Sequence, residues 1–555
     1  MYSKLVWLLA SSASLFTVDA APSPRDAAPT VTVKNGTLRG VHSASWNQDF
    51  FLGIPFAQPP VGDLRFRWPQ SLNTSYDGVL DATKYGYSCY QYNSNYNLSE
   101  DCLTLNVVRP GGYENQSLPV LIWIYGGGLF AGSSAGPQYN LSGIVHTSTL
   151  TDNPFIGVSI NYRLGVWGFL QTPVILAEGS SNAGFLDQRM AFAWVKENIA
   201  AFGGDTSRIT IWGESAGAQS IGLHLHSFGG RDDGLYSAAI MESGGPVGTS
   251  LNALPFYHVA AANLSRTVGC PTDWTLPSQV ACLRNLSSAE LFASNYSVVW
   301  NPIVDGTFLT DYPSVLASRG QFVHVPIING ANTDEGASFS VTGVNTTQDV
   351  FDSLFYWRDY ALSPATIRTL LDLYPNEPQI EPPYAVTTDT VFPSLGLQWR
   401  RSAAIGGDLV MIAQRRKTCE EYVRGGVRDV YSFRFDTPLY NATAPVAVGH
   451  GVNVMFSFQN ISGAMGPVPA YSAYRALSLG IGKAYANFAG TRNPNGIGAG
   501  GEGRNNQTGL PLWPAYDLAN PTNLVLNANG SFVEADTWRA RGISFINNIT
   551  RELLA

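Results

Sequence analysis

Ile209-Thr210-Ile211-Trp212-Gly213-Glu214-Ser215-Ala216-Gly217 is the stretch whose reading decides the fold. Its first four residues, β-branched and aromatic, read as a strand and run without a spacer into the pattern Gly-x-Ser-x-Gly. Ala218, Ile221, Gly222 and Leu225 then continue as a helix. Such a pattern sets a serine on a strand-to-helix turn too tight for side chains at the flanking positions, which is why glycines stand there. A second match, Gly132-Ser133-Ser134-Ala135-Gly136, has no strand before it, lies in a Gly/Ser-rich loop and meets Pro137 at once. Context therefore selects Ser215 as the candidate nucleophile and leaves Ser134 as a chance match.

Working outward, continuous apolar runs at 120–125, 155–160 and 325–328 resemble the run at 209–212. Runs of this kind fit strands buried on both faces of a mostly parallel sheet. Residues 188–202 repeat apolar side chains at helical spacing, and strands alternating with helices mean an α/β fold. Residues 30–41 alternate like a short antiparallel pair with Asn35-Gly36 as its turn, and the Gly/Asn-rich segment 493–509 reads as a surface loop.

A serine hydroxyl needs an imidazole to take its proton and a carboxylate to orient that imidazole. In the α/β-hydrolase arrangement the chain order is Ser, then Asp or Glu, then His. Thr333-Asp334-Glu335-Gly336 follows the run at 325–328, where a loop leaves the carboxyl edge of the sheet. Of the histidines downstream of Ser215, namely His224, His226, His258, His324 and His450, only His450 follows that acidic pair. Residue reasoning leaves Asp334 and Glu335 as alternatives. His224 and His226, two apart on a helix, do not share a face and read as ordinary helix residues rather than metal ligands. Gly126-Gly127-Gly128 follows the run at 120–125, where glycines let backbone N–H groups face a developing oxyanion; the N–H of Ala216 is a further donor.

Composition narrows the setting. The chain has 555 residues, 45% hydrophobic and 13% charged, with a formal net charge of −8 and no long Lys/Arg run, so a large core is available and nucleic-acid binding has no electrostatic support. Lys4, the apolar stretch 5–16 and Val18-Asp19-Ala20 read as a signal peptide over residues 1–20, leaving 21–555 as a single domain. No run long enough for a membrane span and no hydrophobic C-terminal anchor signal follow. More than a dozen Asn-x-Ser/Thr sites, among them Asn35, Asn97, Asn263 and Asn441, fit a secreted glycoprotein. Of five cysteines, Cys89 with Cys102 and Cys270 with Cys282 suggest two short-range disulfides, and Cys419 remains as a buried thiol.

The sequence resembles the type-B carboxylesterase/lipase family, which includes cholinesterases and secreted fungal lipases. The likeness rests on Phe51-Leu52-Gly53-Ile54-Pro55-Phe56-Ala57, on Glu100-Asp101-Cys102-Leu103-Thr104-Leu105-Asn106, and on Asn182-Ala183-Gly184-Phe185-Leu186-Asp187-Gln188-Arg189 running on to the serine turn. It implies an α/β-hydrolase fold and a carboxylic ester hydrolase with a triad of Ser215, Glu335 and His450, choosing Glu335 over Asp334. It implies oxyanion donors Gly127, Gly128 and Ala216, the pairings Cys89–Cys102 and Cys270–Cys282, and Ser243 as a hydrogen-bond partner of the acid. Arg65 with Glu100 and Arg163 with Asp187 look like its structural ion pairs. No metal or organic cofactor is implied, and the partner is a small ester. This chain departs from the family in carrying Leu129 where Phe usually follows the three glycines. The Cys89–Cys102 loop holds 12 residues without a tryptophan, too short and polar for an interfacial lid and lacking the ring that holds choline. The expectation is therefore an open esterase of short- to medium-chain soluble esters. A triglyceride or sterol-ester lipase, or an acyl transferase working through the same acyl-enzyme, is the alternative; a non-catalytic adhesion module is disfavoured by the complete set of catalytic residues.

Overall fold

The computed structural model describes residues 28–248, 250–294, 300–440, 442–459, 471–496 and 505–555. The expected signal peptide, the sequon at Asn441 and part of the Gly/Asn-rich segment lie outside the described residues. An eleven-stranded sheet runs through the molecule. Its strands are β1 (Val41–Ser43), β2 (Gln48–Pro55), β3 (Thr104–Pro110), β4 (Leu118–Ile124), β5 (Ile156–Ile160), β6 (Gly204–Glu214), β7 (Ala238–Glu242), β8 (Ile327–Asn332), β9 (Val430–Phe435), β10 (Thr522–Leu526) and β11 (Phe532–Ala535). Their spatial order is β11-β10-β9-β8-β7-β6-β4-β5-β3-β2-β1. The stretch from β5 to β10 is parallel throughout, with antiparallel strands at both edges. This is the mostly parallel, helix-flanked sheet of an α/β-hydrolase, and β4, β5 and β7 are buried along their whole length as their apolar composition requires.

The order β5-β4-β6 contains the functional logic of the sheet. From β4 the chain passes to β5 on one side and then returns to place β6 on the other, so the crossovers diverge between β4 and β6. A crevice opens at the carboxyl ends of strands at such a switch point. Register sets Trp123 of β4 beside Trp212 of β6 and Ile124 beside Gly213. The loops that leave these two strands carry Gly126–Gly128 and Ser215.

Helix α1 (Ala183–Asn198) packs near this crossing, and α2 (Ala216–Gly230) follows β6 directly, with non-helical backbone at Ser227–Gly229. The sequence places the start of α1 at 188; it begins five residues earlier. Gly184 and the buried Asp187 hide the apolar period there: a Cβ on Gly184 would lie 2.7 Å from Arg163 O, and Asp187 binds the Arg163 guanidinium at 2.7 Å. The strand expected at 325–328 in fact spans Ile327–Asn332. Its second half is polar because it ties loops to the sheet, Asn332 Nδ2 donating to Gly449 O at 2.7 Å and to Asn453 Oδ1 at 3.1 Å. At the N-terminus Val33 pairs with Gly36, so the turn is Lys34-Asn35, one residue before the expected Asn35-Gly36. Asn35 is itself buried and donates to Thr74 O, whereas Asn97 is exposed.

Both expected disulfides are present, with Cα–Cα distances of 5.0 Å for Cys89–Cys102 and 5.7 Å for Cys270–Cys282, and Cys419 is a buried free thiol. Arg65 and Glu100 pair at 2.9 Å in a buried setting. Among the described residues no helix is long and apolar enough to cross a membrane.

A very tight backbone contact lies at the switch point. A Cβ on Gly217 would lie 2.0 Å from Ile124 O, so α2 starts hard against the end of β4. Gly217→Ala should therefore lower stability by about 1–3 kcal/mol or more, the usual cost of overpacking. Thermal unfolding of the variant checks this, and an unchanged midpoint would show that the contact relaxes freely.

Candidate active site

Ser215 sits between β6 and α2 at φ 58° and ψ −126°, a conformation costly for a residue with a side chain. Its backbone is held by hydrogen bonds from Ser215 N to Glu242 O and from Gln219 N to Ser215 O. The tightness of the turn is visible in its glycines: a Cβ on Gly213 would meet Gly217 C at 2.7 Å, and one on Gly126 would meet Ser215 Cβ at 2.8 Å. Ser215 lines a cavity of about 470 Å³ together with Gly127, Gly128, Ala216 and His450. Ser134 does not: it is buried, its Oγ accepts from Asn106 Nδ2 and its N–H donates to Asn161 Oδ1.

The glycines expected to face an oxyanion have left-handed backbones, φ 104° at Gly127 and φ 65° at Gly128, and side chains there would strike Ala131 O at 2.2 Å and the Phe130 ring at 2.4 Å. Leu129, where the family usually has Phe, is buried away from the cavity, and the next residue, Phe130, lines it instead and is 52% exposed. The aromatic wall is thus kept one position along.

His450 stands in the loop beyond β9, its Nδ1 2.7 Å from Glu335 Oε2. Glu335 Oε1 accepts from Asn332 N at 2.7 Å, and Ser338 Oγ accepts from His450 N at 3.1 Å, so the end of β8 and the helical turn after it fix both partners. Asp334, the alternative that residue reasoning leaves open, has its oxygens occupied by the N–H groups of Tyr384 and Val448. Ser243 differs from expectation. Its Oγ is buried without a hydrogen-bond partner among the described residues and makes no bond to Glu335; its backbone, at φ 52°, donates to Gly330 O instead. The left-handed turn after β7 is what spends this residue on the backbone.

Glu214 is a site residue that the sequence analysis does not single out, although it lies inside the serine motif. Its Oε1 is 3.2 Å from His450 Nε2, near enough for charge attraction but not aligned as a hydrogen bond. Burial pushes the Glu214 carboxyl up to about 7; the nearby His450 opposes this, and Glu335 and Glu242 add to it. Burial would lower the His450 imidazole, but the carboxylates of Glu214 and Glu335 outweigh it and hold the group up at about 9. Glu242, one strand over, is likewise pushed up to about 7 by burial, partly offset by hydrogen bonds from Tyr485, Ser457 and Asn453. A charged residue two positions after the run at 209–212, inside the serine motif, is the one signal that could have flagged Glu214.

The arrangement joins a strained serine, an imidazole with a buried carboxylate on its far nitrogen, and backbone N–H groups freed by glycines: the parts for acyl transfer. The carboxylesterase family model matches residues 27–541. The chain belongs to the carboxylesterase family. It is 33% identical to lipase 4 of Diutina rugosa over 93% of this chain and 95% of that protein. It is 31% identical to lipase 1 of Geotrichum candidum, covering 99% and 100% of the two chains, and 31% identical to secreted lipase 1 of Botryotinia fuckeliana, covering 95% and 94%. The crystal structure of Aspergillus niger EstA matches with a TM-score of 0.82 and 27% identity over 96% of this chain and all of that one. This carboxylesterase-family protein is a carboxylic ester hydrolase.

An imidazole accepts a proton only when neutral. A His450 pKa held above its ordinary value of about 6.5 moves the acid limb of kcat/KM to higher pH. Glu214→Gln removes the first of the charges that raise it, so the limb should move toward lower pH, measured with a soluble ester across the pH range. A limb left in place would deny Glu214 any hold on the imidazole.

Proposed function

We propose that the protein is a secreted serine esterase acting on soluble short- to medium-chain esters through Ser215, Glu335 and His450. His450 Nε2 takes the proton of Ser215 as the hydroxyl attacks the ester carbonyl, and Glu335 fixes the imidazole through Nδ1. The N–H groups of Gly127, Gly128 and Ala216 hold the oxyanion, at roughly 3–4 kcal/mol for a single donor. His450 then protonates the leaving alcohol, and water, activated by the same imidazole, releases the acid from the acyl-enzyme. Another alcohol in place of water would make the reaction an acyl transfer. Secretion and glycosylation are supported by the N-terminal residues, the two disulfides and the exposed sequons such as Asn97.

The choice of soluble esters over emulsified fat rests on the Cys89–Cys102 loop. Tyr90 stacks on Trp167 with ring centroids 5.3 Å apart, and Tyr92 stacks on Phe292 at 5.1 Å. Gln91 is buried, with its amide bonded to both the N–H and the carbonyl of Gly132. The loop is pinned by its tyrosines, and none of its residues lines the cavity. This is poor material for a flap that opens at an oil–water interface. The lipase reading is favoured by the names of the relatives in Diutina, Geotrichum and Botryotinia.

Two measurements test the proposal. Ser215→Ala should lower kcat by roughly a millionfold, as loss of a triad nucleophile does, while Ser134→Ala stays active; the reverse pattern would transfer the role to Ser134. In a p-nitrophenyl ester chain-length series, rate should rise smoothly with concentration and favour short and medium acyl chains. A jump above the solubility limit, with long-chain triglycerides as best substrates, would move the protein to the lipases.

A further inference from the structure

The wall of the cavity facing Ser215 is unusual for a site meant to receive a hydrocarbon chain. Apart from Phe130, Phe339 and Met411, its larger side chains are polar: Gln219, Gln414, Asn301, Ser250, Arg358 and Asp359. Several of their polar atoms are buried and lack a partner among the described residues. Gln219 Nε2 and Arg358 Nε are N–H donors in this state; Gln414 Oε1 is an acceptor. Gln219 and Gln414 are 7% and 3% exposed, too deep for bulk water to serve them as it serves surface amides. The Gln414 amide is fixed by donation from Nε2 to Val410 O, so its oxygen is the free end.

Arg358 and Asp359 reach the cavity from a strained turn, with positive φ values of 53° and 56° at consecutive non-glycine residues. Ser250 Oγ holds that turn by donating to Arg358 O at 2.9 Å. Strain of this kind is costly and persists where the surroundings enforce it, often at ligand clamps. Arg358 has no carboxylate within ion-pairing distance among the described residues, and its guanidinium lies 5.7 Å from the Phe339 ring that also packs on His450.

We propose that this wall selects esters whose non-reacting part carries several hydroxyl groups, as in an acylated polyol or sugar. This reading rests on the proposed hydrolysis at Ser215. The unpartnered atoms include donors and an acceptor. A hydrocarbon chain satisfies neither, and an anion satisfies only the donors, whereas a hydroxyl both donates and accepts. Water can serve the same groups in the open cavity, but a substrate that displaces it without replacing its hydrogen bonds loses affinity. Leaving buried polar groups unpaired is also the strongest means by which a site rejects an analogue lacking hydroxyls. Phe130 and Phe339 supply the flat apolar surface against which the C–H face of a polyol packs.

The test compares kcat/KM of the full-length mature protein on ethyl butyrate, glucose 6-butyrate and ethyl 2,3-dihydroxybutyrate. The second carries its hydroxyls on the alcohol, the third on the acyl group. At least one hydroxylated ester should exceed ethyl butyrate by tenfold or more, and which one shows the side the wall reads. In Arg358→Met, which removes a donor, and Gln414→Met, which removes an acceptor, that ratio should fall at least fivefold, mainly through KM. Covalent labelling by a fluorophosphonate shows that each variant's site is assembled; if one variant does not label, the other carries the comparison. Turnover of ethyl butyrate with no advantage for either hydroxylated ester, or an advantage untouched in a labelled variant, overturns this inference alone. Absence of all ester turnover overturns the hydrolase reading and this one with it.

Discussion

The fit of Gly217 against the carbonyl of Ile124 is the constraint on which the rest of the site depends. With no room for a methyl group between α2 and the end of β4, the chain after β6 must turn within a single residue, and that residue is Ser215. The turn places Ser215 and Ala216 on the same cavity as Gly127 and Gly128, the glycines following β4. It also fixes Glu214, the last residue of β6, beneath the imidazole. The proposed nucleophile, the proposed oxyanion donors and the buried Glu214 thus meet around one backbone contact, placed where the crossovers of the sheet diverge.

Around that contact the molecule concentrates acid. Glu214, Glu242 and Glu335 are all buried, and two of them have their carboxyls raised mainly by desolvation. The arrangement is tolerable because each is tied to a different element. Glu335 binds the end of β8 and His450, while Glu242 accepts from Asn453, Ser457 and Tyr485. Asn453 also accepts from Asn332, so the loop carrying His450 is laced to β7 and β8 through one side chain. The histidine loop is long in sequence but short in hydrogen-bonded distance from the sheet.

Much of this was legible in the sequence because the chemistry imposes local patterns. The apolar runs marked β4, β5 and β6, and the serine motif marked the strand-to-helix turn after β6. Boundaries were missed where a polar residue extends an element to serve the site, as Asn332 does in β8, or where a helix begins with Gly184 and a buried Asp187. The acid could not be chosen from residues alone, since Asp334 and Glu335 are neighbours and only the backbone N–H groups of Tyr384 and Val448, distant in sequence, occupy the first. The expected bond from Ser243 failed for a related reason: its backbone conformation is set by a strand three-dimensionally adjacent but far along the chain. The polar cavity wall was invisible because Gln219, Gln414 and Arg358 come from three elements with no shared motif.

The pinned Cys89–Cys102 loop has a kinetic meaning beyond substrate choice. Moving it would mean unstacking Tyr90 and Tyr92 and breaking both bonds to Gly132 at once, inside a ring closed by a disulfide. Such a segment is held in one place, so under the proposed function it adds neither an opening step before substrate enters nor a reopening step before product leaves. Under the proposed hydrolysis, turnover is then left to the chemistry at Ser215 rather than to the motion of this segment.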